Sequence, residues 1–257
     1  MGDTVLRSET VIRSDRDGCA TLTLNRPDKL NALNVEMFVE LDAHVKAIAA
    51  QTDTVGLVIL RGAGRCFCSG HDLSDIAAGE KLPEPFYQSK VIERLADLPQ
   101  PVISAVHGHC YTGGLELALA GDILFAAEGA RLADTHAKWA LTPVWGMSQR
   151  LPRRVGTYRA RELMFTCRTV RGPEALNLGL ADFCVADAEF DARLDALAAD
   201  ILANSWFSHR ANKRLLRQTD GMTQPQGLAH EIFRGEGRGP DMAERIAGFQ
   251  NKTVKQS

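Results

Sequence analysis

One carboxylate interrupts an apolar run, TGGLELALAGD at residues 112–122, directly after a Gly-Gly pair. Leu115, Leu117, Ala118, Leu119 and Ala120 read as a helix buried nearly all round, so Glu116 stands where a charge is costly. Burial raises a carboxyl pKa and the dipole at a helix start lowers it; the outcome is a group able to act as base or acid near neutrality. Gly113 and Gly114 fall where that helix begins. Their N–H groups belong to its unsatisfied first turn, and the bare backbone admits a ligand closely. A second glycine-rich stretch, RGAGRCFCSGHD, precedes it at residues 61–72. If an N–H from CSGHD faces one from the Gly-Gly pair, the two can hold a carbonyl oxygen as it becomes an enolate, as in an oxyanion hole. The plain alternatives are two tight turns, and a glutamate that caps its own helix. The flanking leucines weigh against a solvent-facing cap.

The elements that must position these groups are legible in outline. Residues 4–13 and 18–25 alternate apolar and polar about RDG, a hairpin pattern. From Asn34, a suitable N-cap, Val35, Phe38, Leu41, Val45 and Ile48 recur at helical spacing. VGLVIL (55–60) and PVISAVHG (101–108) are short continuous apolar runs of the kind that form buried parallel strands, with a helix expected near 84–97. DILFAAE follows the Glu116 helix as a third such run. Strands alternating with helices predict an α/β fold with a parallel sheet, in which ligands bind beyond the carboxyl ends of the strands. Both glycine-rich loops follow a strand and so open at that edge. Beyond about residue 148 the pattern is helical, with helices expected near 158–167, 173–180, 187–204, 206–219, 224–234 and 241–250.

Bulk properties exclude several classes of function. The 257 residues are 45% hydrophobic and 24% charged, with a formal net charge of -2. That is the composition of an ordinary soluble globule without the basic footprint of a nucleic-acid or acidic-membrane binder. RLPRRVG is the densest basic cluster and reads as a solvated helix face. The six cysteines form no CxxC pair, and no zinc-ligand spacing accompanies them, so reduced and mostly buried thiols are expected. MGDTVLRSETV lacks the apolar core of a signal peptide, and no apolar run approaches the roughly 20 residues of a membrane helix. The expected location is cytoplasmic.

Four stretches, in order, carry a resemblance: LNRPDKLNALN (24–34), GRCFCSGHDL (64–73), PVISAVHGHCYTGGLELALAGDI (101–123) and LTPVWGMSQRLPRRVG (141–156), with MAERIAGFQNK near the C-terminus. The chain resembles the crotonase, or enoyl-CoA hydratase/isomerase, superfamily over essentially its whole length. The resemblance implies a spiral of ββα units over residues 1–195 and a helical trimerisation region over 196–257, in one continuous family domain. It implies a homotrimer or dimer of trimers, an acyl-CoA substrate, and no cofactor beyond the coenzyme A carried by that substrate. The oxyanion donors map onto the N–H groups of Ser69 and Gly113. Leu30, Ala32, Gly70, His71, Asp72, Leu73 and Gly114 map onto substrate and CoA binding, and Phe249 onto the aromatic that closes the nucleotide pocket. Glu116 matches the first of two catalytic glutamates, which holds and activates the added water.

The departures from the family pattern bear on the chemistry. Thr112 replaces the first glycine of a Gly-Gly-Gly run, and His71 replaces a small residue beside the oxyanion loop, narrowing the thioester end. The second catalytic glutamate falls on His136. An imidazole titrates near neutrality, so His136 suits delivery of the α-proton or orientation of the water, and equally a structural hydrogen bond. Asp134 is close enough in sequence to orient His136, although residues i and i+2 of an extended segment share a face without necessarily touching. His107 and His109 lack a third metal ligand, and Ser69 lacks the G-x-S-x-G context of a nucleophile. Trp139 and Trp145 bracket ALTPV as walls of an acyl pocket, with core packing open for Trp139, and Tyr111 either meets ligand or fills space. With the resemblance, these residues imply an enoyl-CoA hydratase-like lyase. The alternatives are a double-bond isomerase, a β-dicarbonyl carbon–carbon hydrolase, and a silent acyl-CoA-binding or RNA-binding homologue. Retention of Glu116 argues against a silent binder. Against RNA stands the exposed face of residues 35–51, which offers Lys46 alone as a lysine.

Overall fold

Asp17 and Gly18 take φ values of 51° and 83°, the paired left-handed residues of a two-residue hairpin turn. They join β1 (Val11–Arg16) to β2 (Cys19–Leu24) in antiparallel register. The structure, a computed structural model, describes residues 9–254, so residues 4–8 of the expected hairpin lie outside the described residues. Asn34 caps α1 (Val35–Ala49) by accepting the Met37 N–H at 3.0 Å. One face of α1 then buries Phe38, Leu41, Val45 and Ile48.

Three successive passages repeat one plan: a strand in a large sheet, a short strand segment in a small one, then a helical segment. The first runs through β3 (Leu57–Gly62), Cys68 and α2 (Leu73–Ala78), and leads to α3 (Tyr87–Ala96). The second runs through β4 (Val102–Val106), β5 (His109–Tyr111) and α4 (Gly113–Ala118). The third runs through β6 (Ile123–Ala127) and β7 (Arg131–Ala133) into a 3-10 turn over His136–Trp139. This is the expected spiral of ββα units. The chain continues with α5 (Met147–Val155), α6 (Thr157–Thr166), β8 (Val170–Arg171), α7 (Gly172–Asn177) and β9 (Phe183–Val185). The large sheet has the order β1-β2-β3-β4-β6-β9, parallel from β2 onward, and the small sheet the order β5-β7-β8. A bridge from Cys68 to Cys110 ties the first glycine-rich loop to β5.

Four helices close the chain: α8 (Phe190–Leu202), α9 (Trp206–Thr219), α10 (Gln224–Arg234) and α11 (Met242–Val254). The expected boundary between residues 195 and 196 falls inside α8. Lys213 anchors α9 by donating to the Gln100 carbonyl at 2.9 Å and to Asp122 Oδ2 at 2.6 Å. The basic stretch after Ser148 lies on α5, where Arg153 pairs with Asp220 and Arg154 with Asp182. Four short elements escaped the periodicity, β5, β7, β8 and β9, because two or three residues cannot display a repeat. No helix among the described residues is long and apolar enough to cross a membrane.

Candidate active site

The loop after β3 and the loop after β5 meet backbone to backbone. Leu33 bridges His71 in parallel fashion: the Leu33 N–H donates to the Gly70 carbonyl at 2.8 Å, and the Asp72 N–H donates to the Leu33 carbonyl at 2.9 Å. In such a bridge the neighbours of His71 make the bonds, so its own N–H points to the opposite side. On that side stands Gly113, the first residue of α4. A Cβ added there would lie 3.3 Å from the His71 nitrogen and 2.5 Å from the Trp145 ring, so only glycine fits. Neither the His71 nor the Gly113 N–H donates to an acceptor among the described residues. The Ser69 N–H is spent, donating to the Leu30 carbonyl at 3.0 Å. The unspent N–H expected at Ser69 belongs instead to His71: Gly70, with φ at 114°, breaks the extended run between them, so the Ser69 N–H turns to Leu30 while the bridge to Leu33 leaves that of His71 free.

Glu116 lies one turn into α4 and is 1% exposed. Its Oε1 accepts the N–H groups of Trp145 and Met147, each at 3.0 Å. Its Oε2 lies 3.6 Å from Nε2 of His136. Burial raises the Glu116 pKa, against the pull of the Met147 and Trp145 N–H groups and of charge on His136, while Asp134 pushes the same way as burial. The turn carrying both N–H groups is held in turn by Arg150, whose Nη1 donates to the Trp145 carbonyl at 2.7 Å.

His136 is reached from the other side. The chain turns after β7 instead of running extended, and Asp134 Oδ1 accepts the His136 N–H at 3.1 Å and lies 2.6 Å from its Nδ1. Asp134 is 2% exposed and His136 8%. Residues 134 and 136 thus touch, both through the ring and through the His136 N–H. Thr112, with φ at 49°, accepts the Thr135 N–H on its hydroxyl at 3.1 Å and couples this turn to the start of α4.

These groups lie in one cavity of about 860 Å³, bounded by both loops, α2 and the segment 135–145. Of the residues expected to bind substrate, Ala32, Ser69, Gly70, His71, Asp72 and Leu73 line it. Leu30 and Gly114 do not. The Leu30 carbonyl is taken by Ser69, and Gly114 packs on Cys68, where an added Cβ would come within 2.7 Å of the Cys68 carbonyl oxygen. The Asp72 carboxylate is also occupied: it caps α2 through the Ser74 N–H and pairs with Arg26 at 3.0 Å. Trp145 is a buried wall, packed edge-on against Phe38 at 5.1 Å between ring centroids. Trp139 lines the mouth at 57% exposure and is not core. His107 bonds the Gly64 carbonyl and His109 the Tyr111 hydroxyl, each at 3.0 Å, and Tyr111 reaches the cavity. Phe249 lies on α11, outside the cavity lining. The backbone donors of Trp145 and Met147 carry no sequence signature, since any residue type supplies an N–H.

The profile of the enoyl-CoA hydratase/isomerase family matches residues 14–235. A probable peroxisomal enoyl-CoA hydratase 1 of Arabidopsis thaliana is 35% identical over 204 residues, covering 79% of this chain and 77% of the relative. The 1,2-epoxyphenylacetyl-CoA isomerase of Escherichia coli is 32% identical, over 96% of this chain and 98% of its own. Among solved structures, an enoyl-CoA hydratase homologue from Thermobifida fusca in complex with acetoacetyl-CoA superposes with a TM-score of 0.80 at 30% identity, covering 93% of this chain and 96% of its own. Sequence and fold agree over nearly the whole length: the chain belongs to the enoyl-CoA hydratase/isomerase family.

Proposed function

We propose that the protein hydrates the 2,3 double bond of an enoyl-CoA thioester, with Glu116 and His136 as the acid–base pair. The carrying observation is that the two unspent N–H groups of His71 and Gly113 stand at the same end of the cavity as two ionisable groups 3.6 Å apart. The thioester oxygen accepts from both N–H groups, and negative charge gathers on it as the enolate forms. A water molecule held between Glu116 Oε2 and His136 Nε2 attacks the β-carbon. Its proton passes to the Glu116 carboxylate, and the hydroxyl stays on carbon. The proton on His136 Nε2 goes to the α-carbon, giving a 3-hydroxyacyl-CoA. Glu116 then returns its proton to His136 and the pair is reset. Asp134, bonded to Nδ1, keeps Nε2 turned to the reaction and steadies the cation that donates.

The cavity mouth, with Lys29, Ala32 and Leu73, suits the coenzyme A portion, in keeping with the acetoacetyl-CoA held by the Thermobifida fusca relative. The same pair can move one proton between carbons, as a double-bond isomerase would, so the product decides. Incubation with but-2-enoyl-CoA should yield 3-hydroxybutanoyl-CoA with loss of enoyl absorbance; recovery of shifted double bonds alone, without hydration of any short or branched enoyl-CoA, refutes the hydratase assignment.

The helical region beyond residue 196, with α6, is assigned to trimerisation. Tyr158, Phe165 and Phe233 are 84%, 77% and 80% exposed, an apolar display that association would cover. Sedimentation should give three or six times the 28.1 kDa chain mass. A monomer at micromolar concentration refutes the assignment.

A further inference from the structure

His71 brings an imidazole into the cavity in addition to its backbone N–H, and the hydration chemistry uses only the N–H. The ring is a built feature. Its Nε2 lies 2.6 Å from Glu80 Oε1, and the other Glu80 oxygen accepts from Gln88 Nε2 at 3.1 Å. Gln88 is 4% exposed, and the His71 and Glu80 side chains are 22% and 14% exposed. The imidazole also rests on Trp145, with 4.6 Å between ring centroids. Rotation of the ring is therefore checked by a carboxylate on one edge and an indole on one face.

A carboxylate only accepts hydrogen bonds, so Glu80 selects the tautomer of the neutral ring that carries its proton on Nε2. Nδ1 is then an acceptor. It has no hydrogen-bond partner among the described residues, and His71 belongs to the cavity wall. Tying the loop before α2 to α3 through Glu80 needs Nε2 alone. Nδ1 is the acceptor left over on a residue of the cavity wall, whose lining also includes the apolar side chains of Ile76, Leu141, Val144 and Trp145.

The geometry points to a hydroxylated acyl group: a hydroxyl on the first few carbons of the acyl chain donates to His71 Nδ1 while the thioester oxygen lies between the His71 and Gly113 N–H groups. This rests on the hydratase assignment above. The hydroxyl must be close to the thioester because Nδ1 and one oxyanion donor belong to the same residue. A group far down the chain would pass the ring. Glu80 acts through His71 as a positioning residue.

The matched pair 4-hydroxybut-2-enoyl-CoA and but-2-enoyl-CoA tests this, with the unreactive 4-hydroxybutanoyl-CoA and butanoyl-CoA as a calorimetric binding pair. One neutral hydrogen bond made in place of a wasted acceptor predicts a preference of about tenfold for the hydroxylated member in kcat/KM and in Kd. His71→Phe, which keeps the backbone donor and the packing on Trp145, should bring both ratios to about one. Glu80→Ala, which frees the tautomer, should reduce them several-fold. Equal wild-type values, or a preference that survives His71→Phe, overturn the inference. So does a preference for the carboxylated pent-2-enedioyl thioester over the hydroxylated one, since Nδ1 would then be a donor. Turnover of but-2-enoyl-CoA without a hydroxyl preference defeats the subsite alone. Absence of turnover on every enoyl thioester defeats the hydratase assignment, and the binding ratio still judges the subsite.

Discussion

Glu116→Gln and Glu116→Ala should separate chemistry from structure at one atom group. The amide oxygen of glutamine can still accept the N–H groups of Trp145 and Met147, which Oε1 now accepts at 3.0 Å each, and the volume is conserved. Burial raises the Glu116 pKa, so folding disfavours its ionised form at neutral pH, and a neutral amide removes that cost. Stability of Glu116→Gln at pH 7 should therefore equal or exceed that of the wild type. Alanine leaves two buried N–H groups unpaired at about 1–3 kcal/mol each, so Glu116→Ala should lose roughly 2–6 kcal/mol. Both variants lack the proposed base. Its removal should lower kcat about a hundredfold to ten-thousandfold, or about 3–5 kcal/mol of barrier. Urea unfolding and but-2-enoyl-CoA hydration, run on the same preparations, read the two effects. Glu116→Gln retaining a tenth of wild-type kcat, or unfolding as easily as Glu116→Ala, refutes the reasoning.

The raised Glu116 pKa also fixes a sign in the pH profile: the base is lost at higher pH than a free glutamate, so the acidic limb of kcat/KM should lie above 4.5 and vanish in Glu116→Gln. Asp134→Asn should lower kcat at least tenfold with KM little changed, because Nδ1 loses its anionic partner at 2.6 Å; an unaffected kcat removes Asp134 from the mechanism. Gly113→Ala drives a methyl to 2.5 Å from the Trp145 ring, and should cost about 1–3 kcal/mol of stability and most of the activity; a fully active variant would displace Gly113 from the oxyanion site. Burial pushes the Cys68 thiol up to about 12, so mass spectrometry after iodoacetamide at pH 8 should find it unlabelled until the protein is unfolded.

The parts of the fold that repeat were legible in the sequence. Asn34 and its helix, the apolar runs that became β3, β4 and β6, and the apolar helix around Glu116 all announce themselves by period or by polarity. The site was legible as a neighbourhood, since both glycine-rich loops follow parallel strands, but not in its register. Ser69 and His71 lie on the same loop two residues apart. Which of them presents an unspent N–H depends on the left-handed Gly70 between them and on two tertiary contacts, Ser69 to the Leu30 carbonyl and the bridge of His71 to Leu33. Asp134 and His136 were separable by an extended backbone and are joined by a turned one, a difference of a few dihedral angles that no residue type in DTH dictates. The contacts that hold Glu116 come from residues 145 and 147, about thirty positions away, through main-chain atoms that every residue possesses.

The groups proposed to hold the thioester oxygen, the N–H groups of His71 and Gly113, and those that hold Glu116, the N–H groups of Trp145 and Met147, all belong to the backbone. Two of the same residues, His71 and Trp145, also line the cavity. Substitution at 71 or 145 can therefore reshape what the enzyme accepts while the donors stay in place. Gly113 is the exception, closed to any larger residue by the Trp145 ring. Such a scaffold keeps its donors independent of side-chain identity at 71 and 145, so the cavity wall and the donor set are separable in sequence.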